Sequence, residues 1–336
     1  MEKTSVAIFE VTPKEKAYLR KKFDKSFEIT FYSEALTEAN ADLIKDTDIV
    51  STFIYSQVTK NVLEKASRLK LITTRSTGFN HIDVKTAGEK GIKVSNVPFY
   101  GENTVAEHTF ALILALSRNV HKAYVRTIRN DFTLQGLQGF DLRDKTLGVI
   151  GAGSIGVHVI KIAKGFGMNV MAYDARHNHL LAEILDFSYG SLDEVLKSSD
   201  IITLHCPYNS KTHHLINMQN INKVKKGALF INTARNGIID PQALYYAIEH
   251  DIFSGAGLDV FEGEELVNEE NQMLTQNVSV EHLEAILKRN ILLRRENVII
   301  TPHMAFDSVE AVERIMDTTV SNIKFFLTGE DFYKVN

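Results

Sequence analysis

From one end of the chain to the other, short apolar runs alternate with longer stretches in which apolar residues recur every three or four positions. Short apolar runs suit strands covered on both faces, and the intervening spacing suits the helices that cover them. The pattern therefore predicts repeated βα units around parallel sheets. In the first hundred residues the predicted strands are Val6–Phe9, Glu28–Tyr32, Asp48–Ile54, Lys70–Thr74 and Ile92–Ser95. A second series comprises Thr146–Ile150, Asn169–Tyr173, Asp200–Leu204, Ala228–Asn232, Ser254–Leu258 and Asn297–Thr301. Between the two series, NTVAEHTFALILALSRNV (Asn103–Val120) has helical spacing without Gly or Pro, and Ala111, Leu112, Ala115 and Leu116 form its expected core stripe. Glu262–Glu296, which holds GEELVNEENQ and the helical pattern HLEAILKRNILLRR, reads as a surface insertion. A last helix is predicted over Asp307–Leu327, ending near Gly329. No repeat of solenoid period and no low-complexity tract interrupts this order.

Length and composition narrow the class. A chain of 336 residues fits about two domains. With 44% hydrophobic and 24% charged residues it has ordinary globular composition, which excludes largely disordered or fibrous classes. Lys and Arg number 38 against 42 Asp and Glu, so no excess of positive charge marks a nucleic-acid surface. Cys206 is the only cysteine, which precludes an intrachain disulfide or a Cys-based zinc site and suits a reducing cytoplasm. The first apolar run, Val6–Phe9, is too short for a signal segment or a membrane span. The expectation is a soluble cytoplasmic protein with neither nucleic acid nor membrane as partner. The pairs His177/His179 and His213/His214 lack an HExxH spacing or Cys partners, so no metal is expected.

Gly151-Ala-Gly153-Ser154-Ile155-Gly156 supplies G-x-G-x-x-G between the strand pattern TLGVI and the helix pattern VHVIKIAK. In that context the first glycine serves a tight turn, the second lets backbone approach a pyrophosphate, and the third lets helix and strand pack closely. The helix N-terminus then offers free N–H groups and a positive dipole end to phosphate. Asp174 closes the next strand 18 residues after Gly156, where a carboxylate binds the two adenosine ribose hydroxyls and repels a 2′-phosphate. The pattern points to NAD over NADP, although Arg176, two residues on, offers a possible partner for phosphate. The plain alternative is a glycine-rich turn without a ligand. A hydrolase elbow, G-x-S-x-G around Ser154, fails at Ala152.

Three further runs, INTARNGIID, GAGLDVFEGEE and NVIITPHMAF, follow or end strands, where ligands bind in open α/β sheets. They carry Arg235, Glu264 and His303. Together with TTRSTGFNHID, VPFYGENTVAEHTFALILALSR, GVIGAGSIG and LHCPYNSKTHHLIN, they make the chain resemble the D-isomer-specific 2-hydroxyacid dehydrogenase family over essentially its whole length. Among the family's branches it is most similar to the D-lactate dehydrogenases.

The resemblance implies that Arg235 binds a 2-oxo acid, that His303 is the acid–base, and that Glu264 orients His303 and keeps it protonated. The chemistry agrees. Reduction of a keto group places negative charge on oxygen, which a nearby imidazolium neutralises near neutral pH, and a carboxylate beside the ring raises its pKa. The guanidinium fork of Arg matches a carboxylate in a way Lys cannot copy. Glu262, Glu264 and Glu265 also fit a solvated acidic turn, but the 29-residue step from Arg235 selects Glu264 by family pattern.

Further roles follow from the resemblance alone. Thr77 and Gly78 hold the substrate carboxylate through backbone N–H groups, and Tyr100 and Phe306 line the pocket. Ser154 and Ile155 belong to the phosphate loop. Cys206 and Pro207 lie on the adenosine side and Thr233 and Ala234 on the nicotinamide side, Thr212 and Arg235 also bind the cofactor, and Asp259 accepts from the nicotinamide carboxamide. Where the family usually has Gly directly after the arginine, this chain has Asn236 and then Gly237, and Asn tolerates the positive φ that such a turn would need.

The implied fold class is α/β with two domains: a Rossmann-type dinucleotide-binding domain over 103–300 and a flavodoxin-like parallel-sheet substrate domain from 1–102 and 301–336, with the site at their seam. The implied activity is NAD-dependent reduction of pyruvate to D-lactate by a homodimer. The alternatives are the same chemistry on 2-hydroxyisocaproate, glyoxylate or hydroxypyruvate, or a corepressor-like NAD(H)-sensing protein without turnover.

Overall fold

The computed structural model describes residues 3–260 and 290–336. The chain divides into two compact units, Met1–Tyr100 with Ser308–Asn336, and Gly101–Asp307. The return to the first unit falls after Asp307, beyond residue 300, because the turn that follows the last strand is tied back by Asp259. Its carboxylate accepts from Thr301 Oγ1 and from the N–H groups of Met304 and Ala305. His303 and Phe306 therefore belong to the larger unit.

In the smaller unit β1 (Thr4–Ile8), α1 (Pro13–Lys22), β2 (Phe27–Phe31), β3 (Ile49–Thr52), α2 (Lys60–Lys65), β4 (Leu71–Thr74), α3 (Val84–Glu89) and β5 (Lys93–Ser95) follow the predicted alternation. The strands pair in parallel in the order β2-β1-β3-β4-β5, which is flavodoxin-like. Alternate residues face opposite cores. Ala7, Val50 and Ile72 pack with Val62 and Leu63 of α2, whereas Val6, Ile8, Ile49 and Leu71 pack against Met316, Val320 and Ile323 of the last helix. Coverage on both faces explains why β3 and β4 are buried at every position.

The larger unit contains α4 (Glu102–Ser117), α5 (Val120–Thr127), β6 (Thr146–Ile150), α6 (Ser154–Gly165), β7 (Asn169–Tyr173), α7 (His179–Leu185), β8 (Ser188–Tyr189), α8 (Leu192–Ser198), β9 (Ile201–Leu204), β10 (Ala228–Asn232), α9 (Pro241–Glu249), β11 (Phe253–Leu258) and β12 (Val298–Ile300). Its parallel sheet runs β12-β11-β10-β9-β6-β7-β8, so strand order reverses between β6 and β9, as in dinucleotide-binding sheets. β8 was not foreseen, since two residues carry no periodicity. The predicted insertion over Glu262–Glu296 lies, up to residue 289, outside the described residues.

α4 corrects the expected register. Ala111 is exposed, and the buried positions are Thr104, Val105, Ala106, Thr109, Phe110, Leu112, Ile113, Leu116 and Ser117. The helix packs on both α6 and the sheet, so it buries two adjacent rows rather than one stripe. It stops at Ser117 because Asn119 takes a left-handed conformation at φ 51°, and a separate helix, α5, begins at Val120. The last helix, Val309–Thr328, is capped by Ser308 Oγ, which accepts from Ala311 N at 3.1 Å, and is closed by Gly329 at φ 77°.

Replacing fully buried Ile113 by Ala is expected to cost about 2–5 kcal/mol, read as a lowered urea midpoint, whereas Ala111→Ser should stay within about 0.5 kcal/mol. The reverse order would return the core face to the stripe suggested by the sequence.

Candidate active site

The glycine loop leaves β6 at the reversal of strand order. Gly151 has φ 100°, and a Cβ placed there would lie 2.5 Å from the backbone nitrogen of Cys206, so the loops after β6 and β9 meet only because a side chain is missing. A Cβ on Gly156 would lie 2.0 Å from the carbonyl oxygen of Gly151. At Gly153, by contrast, no described atom lies within 4 Å of the added carbon. Packing inside the protein gives no reason for glycine at 153, but a group approaching from outside does. Gly153 caps α6 without a side-chain acceptor, which leaves the first-turn N–H groups at Ser154 and Ile155 for an anion. Asp174, past the end of β7, steadies the loop by accepting from Ala152 N at 2.7 Å and from Arg176 N at 2.9 Å. The open cradle, the bare helix end and the neighbouring carboxylate together fit a dinucleotide.

Cys206 and Pro207 follow β9 at the same sheet edge. Burial, reinforced by the charge of Asp174, pushes the Cys206 thiol up to about 11, so it is a neutral group in the wall. Thr212 Oγ1 donates to Pro207 O at 2.6 Å and accepts from Asn209 N at 2.8 Å, which closes the loop. Burial pushes His205 down to about 3, so its ring is neutral.

The loops after β10, β11 and β12 carry the other candidates. Asn232, 1% exposed, accepts from Ala234 N at 3.0 Å and donates through Nδ2 to Arg235 O at 3.0 Å, holding Thr233–Arg235 in place. Thr233 Oγ1 meets Thr109 Oγ1 of α4 at 2.9 Å. Arg235 is exposed, with Nη1 donating to Ala234 O at 2.6 Å. His303 stands at φ 51°, its N–H shared between Asp259 O and Thr301 O, both at 2.9 Å.

Asp259, expected at the nicotinamide, has no exposure, and its oxygens accept from Thr301 Oγ1 at 2.5 Å, Met304 N at 2.9 Å and Ala305 N at 2.8 Å. Its carboxylate is committed to the turn that carries His303 rather than presented at the surface. His108 of α4 reaches the same group, with Nε2 3.1 Å from Thr301 Oγ1 and 3.5 Å from Asp259 Oδ1. Burial drives the Asp259 carboxyl upward, but the bonds from His108, Thr301, Ala305 and Met304 together bring it below the usual carboxylate range.

Sequence reasoning did not single out Asn232, His108 or Thr109. Their signal is spatial, since His108 meets Thr301 across 193 positions of sequence. Asn236 is not among the residues at positive φ, contrary to expectation, and its side chain instead accepts from Gly237 N at 2.8 Å. At Gly237 a Cβ would lie 2.5 Å from the ring of exposed Tyr208. Glu264 lies outside the described residues. Phe306 is half-buried in the larger unit, and Thr77, Gly78 and half-buried Tyr100 belong to the smaller one, where Tyr100 O accepts from Arg314 Nε at 2.6 Å. His177 stacks on Tyr189 and His213 on His214. Among the described residues no group of His, Cys, Asp and Glu could hold a metal ion, and no helix is long and apolar enough to cross a membrane.

Residues 110–305 match the family model described as D-isomer specific 2-hydroxyacid dehydrogenase, NAD binding domain. The chain is 34% identical to the D-lactate dehydrogenase of Escherichia coli, with 97% of each chain covered. It is 40% identical to the aromatic 2-oxoacid reductase of Clostridium sporogenes over 85% of each. Among solved structures, the D-lactate dehydrogenase of Aquifex aeolicus complexed with NAD and lactic acid superposes with a TM-score of 0.85 at 38% identity, covering 97% of this chain and 96% of that one.

Gly153→Ala should leave thermal stability almost unchanged while weakening NADH binding by about tenfold or more, whereas Gly156→Ala should lower the melting temperature. Fluorescence titration and calorimetry separate the two, and unaltered NADH affinity in Gly153→Ala would remove the loop from the binding site.

Proposed function

The chain is a member of the D-isomer specific 2-hydroxyacid dehydrogenase family and an NAD-dependent oxidoreductase of D-2-hydroxy acids, and from that footing we propose that its substrate pair is pyruvate and D-lactate. The observation that carries the reading is the position of Arg235 and His303 after β10 and β12, on the same sheet edge as the Gly151–Gly156 loop. Relatives named for D-lactate support the choice of acid.

NADH, when bound, supplies the hydride. Gly153, Ser154 and Ile155 offer N–H groups to the pyrophosphate, Asp174 takes the ribose hydroxyls, and Cys206, Pro207 and Thr212 flank the adenosine. Thr233 and Ala234 border the nicotinamide. Arg235 presents its planar fork to the carboxylate and carbonyl oxygen of the 2-oxo acid, while Thr77 and Gly78 take the carboxylate through backbone N–H groups. Tyr100 and Phe306 line the pocket. As charge develops on the carbonyl oxygen, His303 donates its proton there, and it accepts one in the reverse direction. Glu264 orients His303, and Asp259 holds the turn on which it stands.

A second reading, an aromatic 2-oxo acid as preferred substrate, is favoured by the 40% identity to the Clostridium sporogenes reductase. A panel of 2-oxo acids with NADH decides between them. The highest kcat/KM is expected for pyruvate, and a higher value for phenylpyruvate or 2-oxoisocaproate overturns the lactate assignment. Absence of turnover on every acid favours an NAD(H)-sensing role. His303→Ala should lower kcat by about 10²–10⁴ with little change in NADH affinity.

We further propose a cytoplasmic homodimer joined through the larger units. No residue of α5 is buried, and Val120, Tyr124, Val125, Ile128, Phe132 and Leu134 in and after it are exposed apolar side chains. Light scattering should give twice the chain mass for the wild type and the chain mass for Tyr124→Asp/Phe132→Asp. A monomeric wild type would sink this assignment.

A further inference from the structure

Arg75, directly after β4, is a buried cation that the catalytic scheme does not use. It is 2% exposed, and its Nη2 donates to Phe9 O at 2.7 Å and Glu10 O at 2.9 Å, while Nη1 donates to Ser51 Oγ at 3.1 Å. Phe9 and Glu10 follow β1 and Ser51 lies in β3, the two strands between which the order of the smaller sheet reverses. The guanidinium thus bridges the place where open α/β sheets bind ligands.

Among the described residues Arg75 makes no ion pair, and its other neighbour is the Phe53 ring, 5.8 Å from the guanidinium carbon. Burial lowers its pKa and the charges of Glu15 and Glu10 oppose that, but a guanidinium remains protonated in proteins. The Glu10 carboxylate is turned to another task, accepting from the N–H groups of Phe53 and Tyr55 at 2.8 Å, from Ser56 N at 3.2 Å and from the Ser56 hydroxyl.

A neutral amide would satisfy two carbonyls and a hydroxyl without the cost of burying a charge. Immediately after Arg75 comes a loop braced from every side: Ser76 Oγ donates to Gly78 O at 2.6 Å, Thr77 Oγ1 to Val97 O at 2.9 Å, and Asn96 Nδ2 to Thr77 O at 2.8 Å. Among the described residues the N–H groups of Thr77 and Gly78 donate no hydrogen bond. We propose that Arg75 is a positioning residue for the substrate carboxylate, a permanent cation at the root of the Ser76–Gly78 loop that makes the site select 2-oxo acids over their neutral esters. The inference rests on the reading that the smaller unit receives a 2-oxo acid. Arg75 acts through the low-dielectric interior rather than by contact, where a charge is felt over longer distances than in water.

The test is the ratio of kcat/KM for the preferred 2-oxo acid to that for its methyl ester, with NADH, measured beside the melting temperature and the KM for NADH. Arg75→Gln removes the charge and keeps an amide for the carbonyls, whereas Ser51→Asp sets a carboxylate against Nη1 and neutralises the charge in place. Each should lower the acid-to-ester ratio by about tenfold or more through the KM of the acid, with the KM for NADH within about twofold of wild type. Arg75→Lys should keep the ratio at neutral pH and lose it as pH rises, because a buried ammonium gives up its proton more readily than a guanidinium.

An unchanged ratio in folded Arg75→Gln or Ser51→Asp, with acid and ester falling together, overturns the proposal and leaves Arg75 as a brace between strands. If neither of those folds, a ratio flat with pH in Arg75→Lys has the same force. A wild type inactive on every 2-oxo acid would instead fail the functional reading, before any variant is compared.

Discussion

Asp259 follows β11 fully buried with both oxygens committed, and the turn that carries His303 hangs from it. The main-chain carbonyl of the same residue takes the His303 N–H, and its own N–H donates to Asn232 O at 2.9 Å, so the turns after β10 and β12 share one anchor. That concentration of bonds is needed. A non-glycine residue at φ 51° is strained by roughly 1–3 kcal/mol, and a buried carboxylate robbed of its donors is destabilising by about 3–5 kcal/mol. The strain at His303 therefore persists only while Asp259 is satisfied. α4 completes the arrangement from beneath, with His108 on Thr301 and Thr109 on Thr233.

Both sheets solve the same problem with different materials. A parallel sheet whose strand order reverses leaves a gap at one edge, and whatever fills that gap sets the ligand. In the larger unit the missing side chain at Gly153 leaves backbone N–H groups and a helix end open. In the smaller unit the gap between β1 and β3 is spanned by a guanidinium. Dipoles suit a diphosphate spread over several atoms, and a fixed charge suits a single small anion.

The strands were legible because burial on both faces leaves continuous apolar runs, and three of them, Thr146–Ile150, Asn169–Tyr173 and Ala228–Asn232, have the boundaries that the sequence suggested. The glycine loop was legible because its steric demand is local. α4 was misread because Phe110 stacks on Phe166 after α6 while Thr109 meets Thr233 and Leu112 packs beside Gly257 of β11, which blurs a single helical stripe. Asn236 needs no tolerance of positive φ, because its side chain turns to accept from Gly237 N, a local bond that spacing does not show. The hold of Asp259 on the His303 turn was not legible, because Thr301, Met304 and Ala305 lie more than 40 residues ahead, where spacing says nothing about proximity.

The state of Cys206 has a practical corollary. Burial keeps the thiol protonated at pH 7, and no second sulfhydryl exists in the chain. The protein is thus nearly silent toward maleimide and iodoacetamide reagents as it stands. A cysteine introduced on any exposed surface of either unit would take a fluorophore or spin label almost alone, and two such positions would let distance measurements follow the units through a catalytic cycle without first removing the native sulfur.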